Sequence, residues 1–128
     1  MFFIYQAFLL AAHFTLDFGY FLTPEMLKAK DTGSPLFPIA KHALAHTLAM
    51  SIIIAMFCPN VNFLTCIAVA ASIEFFSHWF IDTMKGKIGT RFPALKDSSN
   101  PLFWHLFALD QFLHVTIIIA ISNLTLIL

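Results

Sequence analysis

Histidines and acids recur in this sequence at one spacing: His13-x-x-x-Asp17, His42-x-x-x-His46, Glu74-x-x-x-His78-x-x-x-Asp82 and Asp110-x-x-x-His114. In a helix, residues four apart lie on one face, one turn above each other. Each motif is therefore a short polar ladder. Neutral imidazole and carboxylate together form a donor set suited to zinc, manganese or iron. Four ionised carboxylates with neutral histidines carry a charge of about −4, which apolar surroundings do not tolerate without protons or metal ions. Two divalent ions would balance it, with His13, Asp17, His42, His46, His78, Asp82, Asp110 and His114 as ligands. Glu74 is a further ligand, a partner orienting an imidazole, or a general base.

The elements that must carry these ladders are transmembrane. The chain has 128 residues, 59% hydrophobic and 11% charged, against about 25% charged in soluble domains. A hydrocarbon core about 30 Å thick needs about 20 apolar helical residues per crossing. Apolar runs ended by proline, glycine and charge predict four spans, 2–22, 39–57, 63–84 and 102–128. The expected fold is an all-α integral membrane protein: one domain, a four-transmembrane-helix bundle with short loops. The Cys58 to Asn62 turn makes spans two and three an antiparallel hairpin. Cys58 and Cys66 form no metal or redox motif and read as packing residues. The N-terminus has no basic n-region ahead of its apolar run, so that run reads as a retained span rather than a signal peptide.

Depth ties the ladders together. They lie toward the C-terminal ends of spans one and three and the N-terminal ends of spans two and four. Consecutive spans run in opposite directions, so all four ladders share one half of the membrane, roughly 3 to 18 Å deep at 1.5 Å per residue. All seven basic residues, Lys28, Lys30, Lys41, Lys85, Lys87, Arg91 and Lys96, fall in or beside the loops on that side. By the positive-inside rule, those loops are cytoplasmic and both termini lie outside, as in a bacterial inner membrane. Lys41 and Lys85, within a turn of His42 and Asp82, would meet an anionic group first, and Lys85 is the candidate substrate clamp.

Other residues have plainer readings. His105, nine positions before His114, falls on the opposite face and is excluded. Gln111 is expected to point away from Asp110 and bond between helices. Trp79 and Trp104 read as interfacial anchors, and the sixteen phenylalanines as lipid-facing bulk.

The segments His13-Phe14-Thr15-Leu16-Asp17-Phe18, His42 with His46, His78-Trp79-Phe80-Ile81-Asp82-Thr83-Met84-Lys85 and Asp110-Gln111-Phe112-Leu113-His114 resemble the small bacterial and phage membrane proteins grouped as domain of unknown function 3307. The likeness covers nearly the whole chain and implies no established activity. In motif style the chain is also similar to membrane proteins described as metal-dependent hydrolases.

The expected function is a membrane-embedded metal-dependent hydrolase. Two ions (Zn, Mn or Fe) would activate water at a site opening to the cytoplasm, and the basic rim favours an anionic substrate, phosphorylated, lipid-linked or a nucleotide. The partners expected are membrane lipids and another copy of the chain, not nucleic acid. Alternatives remain open: a protonated hydrogen-bond network or proton relay, a transporter or channel for protons or divalent metal, a di-iron lipid oxidase, and a non-enzymatic phage or host interaction protein. The outer half offers only scattered polar residues such as Asn123, so no continuous ion path is legible.

Overall fold

In a computed structural model the chain is helical, with no strand among the described residues, which are 2–19, 21–57 and 62–127. Among the described residues five α-helices follow in order: α1 (Phe2–Phe18), α2 (Pro24–Thr32), α3 (Leu36–Phe57), α4 (Phe63–Arg91) and α5 (Pro101–Ile127), with a 3₁₀ turn at Pro93–Leu95. Helices α3, α4 and α5 are each long and apolar enough to cross a membrane, while α1 is apolar but shorter, at 17 residues.

Several expected boundaries need correction. The first apolar helix ends at Phe18 rather than Leu22, and α3 begins at Leu36, ahead of the expected Ile39. Helix α4 runs seven residues past Met84 to Arg91, because Lys85, Lys87 and Arg91 end the apolar run without ending the helix. The first loop is not plain loop: it folds into α2. Thr23 caps this helix by accepting from the Met26 N–H at 3.2 Å, Pro24 takes the first turn, and Gly33 closes it at φ 68° with its N–H bonded to the Ala29 carbonyl. The turn between α3 and α4, with Cys58, lies outside the described residues.

Helix α1 packs on α3 and α5, and α4 packs on the same two, closing a ring of four. Helix α2 lies across one end against α3 and α4. The loops meet there: Lys96 Nζ pairs with Asp31 Oδ2 at 2.8 Å, and the Thr90 hydroxyl donates to the Thr32 carbonyl. At the other end Tyr5 and Thr125 hydroxyls bond at 2.8 Å and Gln6 Nε2 donates to Ser122 Oγ at 2.9 Å, bringing the chain termini to one side.

Two layers fill the ring. The half toward the termini is an apolar core of Tyr5, Leu9, Met50, Ile54, Cys66, Ala70, Ile118 and Ile121. The half toward the loops is polar: His13, Asp17, His42, His46, Glu74, His78, Asp82, Asp110 and His114 are all buried. The outside carries large apolar groups such as Phe3, Leu64, Phe76, Phe80 and Phe112. Large apolar side chains on the outside with nine histidines and acids buried within suit a lipid-facing surface.

Candidate metal centre

The four-residue spacing works as the helix geometry demands. Leu9, His13 and Asp17 share the buried stripe of α1, as His42, His46 and Met50 do on α3, and Ala70, Glu74, His78 and Asp82 on α4. Asp110, His114 and Ile118 form the matching stripe of α5. On each helix the polar and apolar buried residues fall on one stripe, so a single orientation serves both layers.

His78 is the hub. Its ring centroid lies 3.9 Å from that of His46, 4.2 Å from His114, 5.2 Å from His42 and 5.6 Å from His13. Three sets of side chains offer ligand atoms within 4.8 Å of one another: His13, His46, Glu74 and His78; Asp17, His42, His46 and His78; and His78, Asp82 and His114. His78 belongs to all three. Several of these atoms make no hydrogen bond although fully buried: both ring nitrogens of His13, the Nε2 of His46, His78 and His114, and Oδ1 of Asp82. Buried polar atoms are rarely left unpaired, so a cluster of them facing one another fits a cation. Glu74 Oε1 lies 3.3 Å from His78 Nδ1, the geometry of a carboxylate that orients a ligating imidazole.

Asp110 is placed differently. It is absent from those sets and instead accepts from Lys85 Nζ at 2.7 Å. Lys85, the expected clamp, is thus already an ion-pair partner. Gln111 bonds between helices as expected, donating from Nε2 to Asp17 Oδ2 at 3.2 Å, but rather than pointing away from Asp110 it also donates to Asp110 Oδ2 at 3.1 Å. A long amide side chain bends back across the single helical step that separates the two residues. Lys41 stands outside the cluster, its ammonium 4.6 Å over the Phe37 ring. His105 is exposed.

The largest correction concerns charge. Lys30, read as a topology signal, enters the cluster from α2. Its Nζ donates to Asp17 Oδ1 at 2.8 Å and lies 2.9 Å from His42 Nε2 and 3.2 Å from Asp82 Oδ2. Burial works against its charge, but Asp82 and Asp17 outweigh that and hold its pKa above the ordinary lysine value. The cluster therefore has internal cations. Lys30 and Lys85 offset two of the four carboxylate charges. The sequence held a signal for α2 in the Thr23-Pro24-Glu25 start and Gly33 stop, though none for where Lys30 would reach.

A cleft of about 310 Å³ borders the cluster on the loop side. Asp17, Lys30, Asp31, Lys85 and Gln111 form its polar wall, and Phe18, Leu22, Phe103 and Phe107 are among its apolar residues.

The family profile described as Protein of unknown function (DUF3307) matches residues 4–128, in agreement with the resemblance carried by the four ladders. Comparisons with curated proteins and with solved structures give no match.

Proposed function

The chain belongs to the DUF3307 family, whose description names no activity, and from its site we propose a membrane-embedded, metal-dependent hydrolase of anionic substrates. The observation that carries this reading is the convergence of three ligand sets on His78, with unpaired nitrogens and oxygens facing inward. Helices α1, α3, α4 and α5 are the four spans, α1 completing the ring despite its length. The loops and α2 face the cytoplasm of a bacterial inner membrane, with both termini outside, because every basic residue lies at the loop end.

Zinc, manganese or iron bound in this cluster would polarise water and the oxygen on which charge develops during phosphoryl or acyl transfer. The chain's own groups do the rest. His13, His42, His46, His78 and His114 with Asp17 and Asp82 hold the ions. Glu74 orients His78 from about 12 Å deeper along α4 than Asp82, at 1.5 Å per residue, too far from the cleft for a role as base. Asp17 lines the cleft and belongs to a ligand set, so it stands where substrate and metal would meet. Lys85 and Gln111 face the same space and can bind an anionic head. In hydrolysis, water oxygen bonds to the phosphorus or acyl carbon, the bond to the leaving oxygen breaks, and the proton released by water passes to that oxygen.

A metal-free reading has one observation in its favour. Lys30 already provides a positive charge among Asp17, Asp82 and His42, as a hydrogen-bonded proton-handling network would require. A continuous ion path through one chain is disfavoured by the apolar layer around Leu9, Ile54 and Ile118.

The test is elemental analysis of detergent-purified protein, followed by release of phosphate or fatty acid from phosphorylated and acylated lipids before and after chelation. The hydrolase reading expects bound metal, turnover lost on chelation, and recovery with Zn, Mn or Fe. Protein without metal, whose melting is unmoved by added ions, would establish the proton network instead.

A further inference from the structure

Lys30 stands where a metal ion would. Its ammonium forms a tight triangle with Asp17 Oδ1 at 2.8 Å and His42 Nε2 at 2.9 Å, themselves 2.9 Å apart. Asp17 and His42 are half of one of the three ligand sets. A zinc ion takes carboxylate oxygen and imidazole nitrogen at about 2.0 to 2.2 Å, so an ion bound to both would sit almost against the Lys30 Nζ. Two cations at that separation in a site shielded from water repel strongly.

Resting on the metal reading above, we propose that Lys30 is a tethered cation that competes with a divalent ion for the Asp17/His42 end of the cluster. With Lys30 seated, the cluster holds an ion among the deeper ligands, where His13, His46, His78 and His114 present unpaired nitrogens. A second ion binds at Asp17 and His42 only when Lys30 leaves. The structure provides somewhere for it to go, because Lys30 also lines the 310 Å³ cleft. A rotation of its four-carbon stem moves the charge from the cluster into that space without unseating α2. The same displacement puts a free ammonium beside Lys85 at the place an anionic substrate would occupy. Loading of the second ion and formation of the anion-binding wall are thus one event.

The decisive experiment uses the full chain in detergent, titrated with zinc, in two parts. First, bound zinc is measured for the wild type, Lys30→Met and Lys28→Met, the last removing an exposed charge on the same helix. Lys30→Met is expected to bind one more ion per chain than the wild type, or to bind its weaker ion at least about tenfold tighter, the usual scale of coupling between two sites. Lys28→Met should match the wild type. Second, the wild type is treated with an amine-acylating reagent with and without zinc, and modification is read by mass spectrometry. Zinc should raise acylation of Lys30 several-fold and leave exposed Lys28 and Lys41 unchanged. This second part does not depend on a variant folding.

Zinc binding that is equal in wild type and Lys30→Met, with Lys30 as protected in zinc as without it, overturns the competition and leaves the metal reading intact. Absence of zinc from both proteins, with manganese and iron equally unbound, removes the metal reading, and the competition with it.

Discussion

The imidazoles of His46 on α3 and His78 on α4 lie with ring centroids 3.9 Å apart and planes tilted by 37°. They share two of the three ligand sets, one reaching toward His13 and Glu74 and the other toward Asp17 and His42. The pair therefore couples the deep part of the cluster to the part beside the cleft.

That coupling predicts non-additivity. His46→Ala and His78→Ala should each release metal and lower thermal stability, and the double variant should lose little more than the worse single one, because groups acting as a unit do not add. The exposed His105→Ala should change neither quantity. Metal content and melting in detergent check this; two full, independent losses in the double variant would mean two separate patches.

Substitution of Asp82 by Asn preserves shape and removes charge. The Asp82 carboxylate is buried with Lys30 at 3.2 Å and His78 and His114 at 3.5 Å. The amide leaves the Lys30 ammonium to Asp17 and offers a poorer ligand. A loss of about 1.5 to 3 kcal/mol is expected, the worth of a hydrogen bond to a charged group, together with lower metal content. Asp31→Asn, at the exposed pair with Lys96, should cost under about 1 kcal/mol. Denaturant melts of the two variants compare them directly, and a harmless Asp82→Asn would indicate that Asp82 is held as the neutral acid.

The seat of α2 makes a steric prediction. A Cβ on Gly86 would come within 2.2 Å of the Gly33 nitrogen and 2.4 Å of the Lys30 carbonyl oxygen. These are backbone atoms, which cannot yield as a side chain can. Gly86→Ala should therefore lift α2, draw Lys30 from the cluster and cost about 1 to 3 kcal/mol. At Gly89 the added carbon meets only the Lys96 side chain, at 3.1 Å, so Gly89→Ala should be tolerated. Limited proteolysis within 19–35 distinguishes them, and equal resistance of both to wild-type levels would contradict a tight α2 seat.

Topology is testable without knowledge of the substrate. Reporters that work only in the cytoplasm should be silent when fused to either terminus and active when inserted after Lys96, since all seven basic residues lie at the loop end. A strong cytoplasmic signal at the N-terminus alone, with the insertion after Lys96 still active, would show that α1 does not span.

What the sequence by itself determined is everything that repeats locally. Apolar runs identified α3, α4 and α5, and the four-residue ladders identified the buried faces, because helix periodicity is written in residues a few positions apart. Alternating chain direction then placed His13, His46, His78 and His114 at one depth without any knowledge of packing. The tertiary structure alone decided what meets this cluster from outside those periods. Lys30 reaches Asp17, Asp82 and His42 only because α2 folds across the bundle end, and that depends on Gly33 of one loop meeting Gly86 of α4 backbone to backbone. In the same way Asp110 turns to Lys85, and Gln111 bridges two helices. These contacts join residues far apart in the chain, chosen by fit and charge rather than spacing, so no local pattern records them, and with them goes the balance of charge within the cluster.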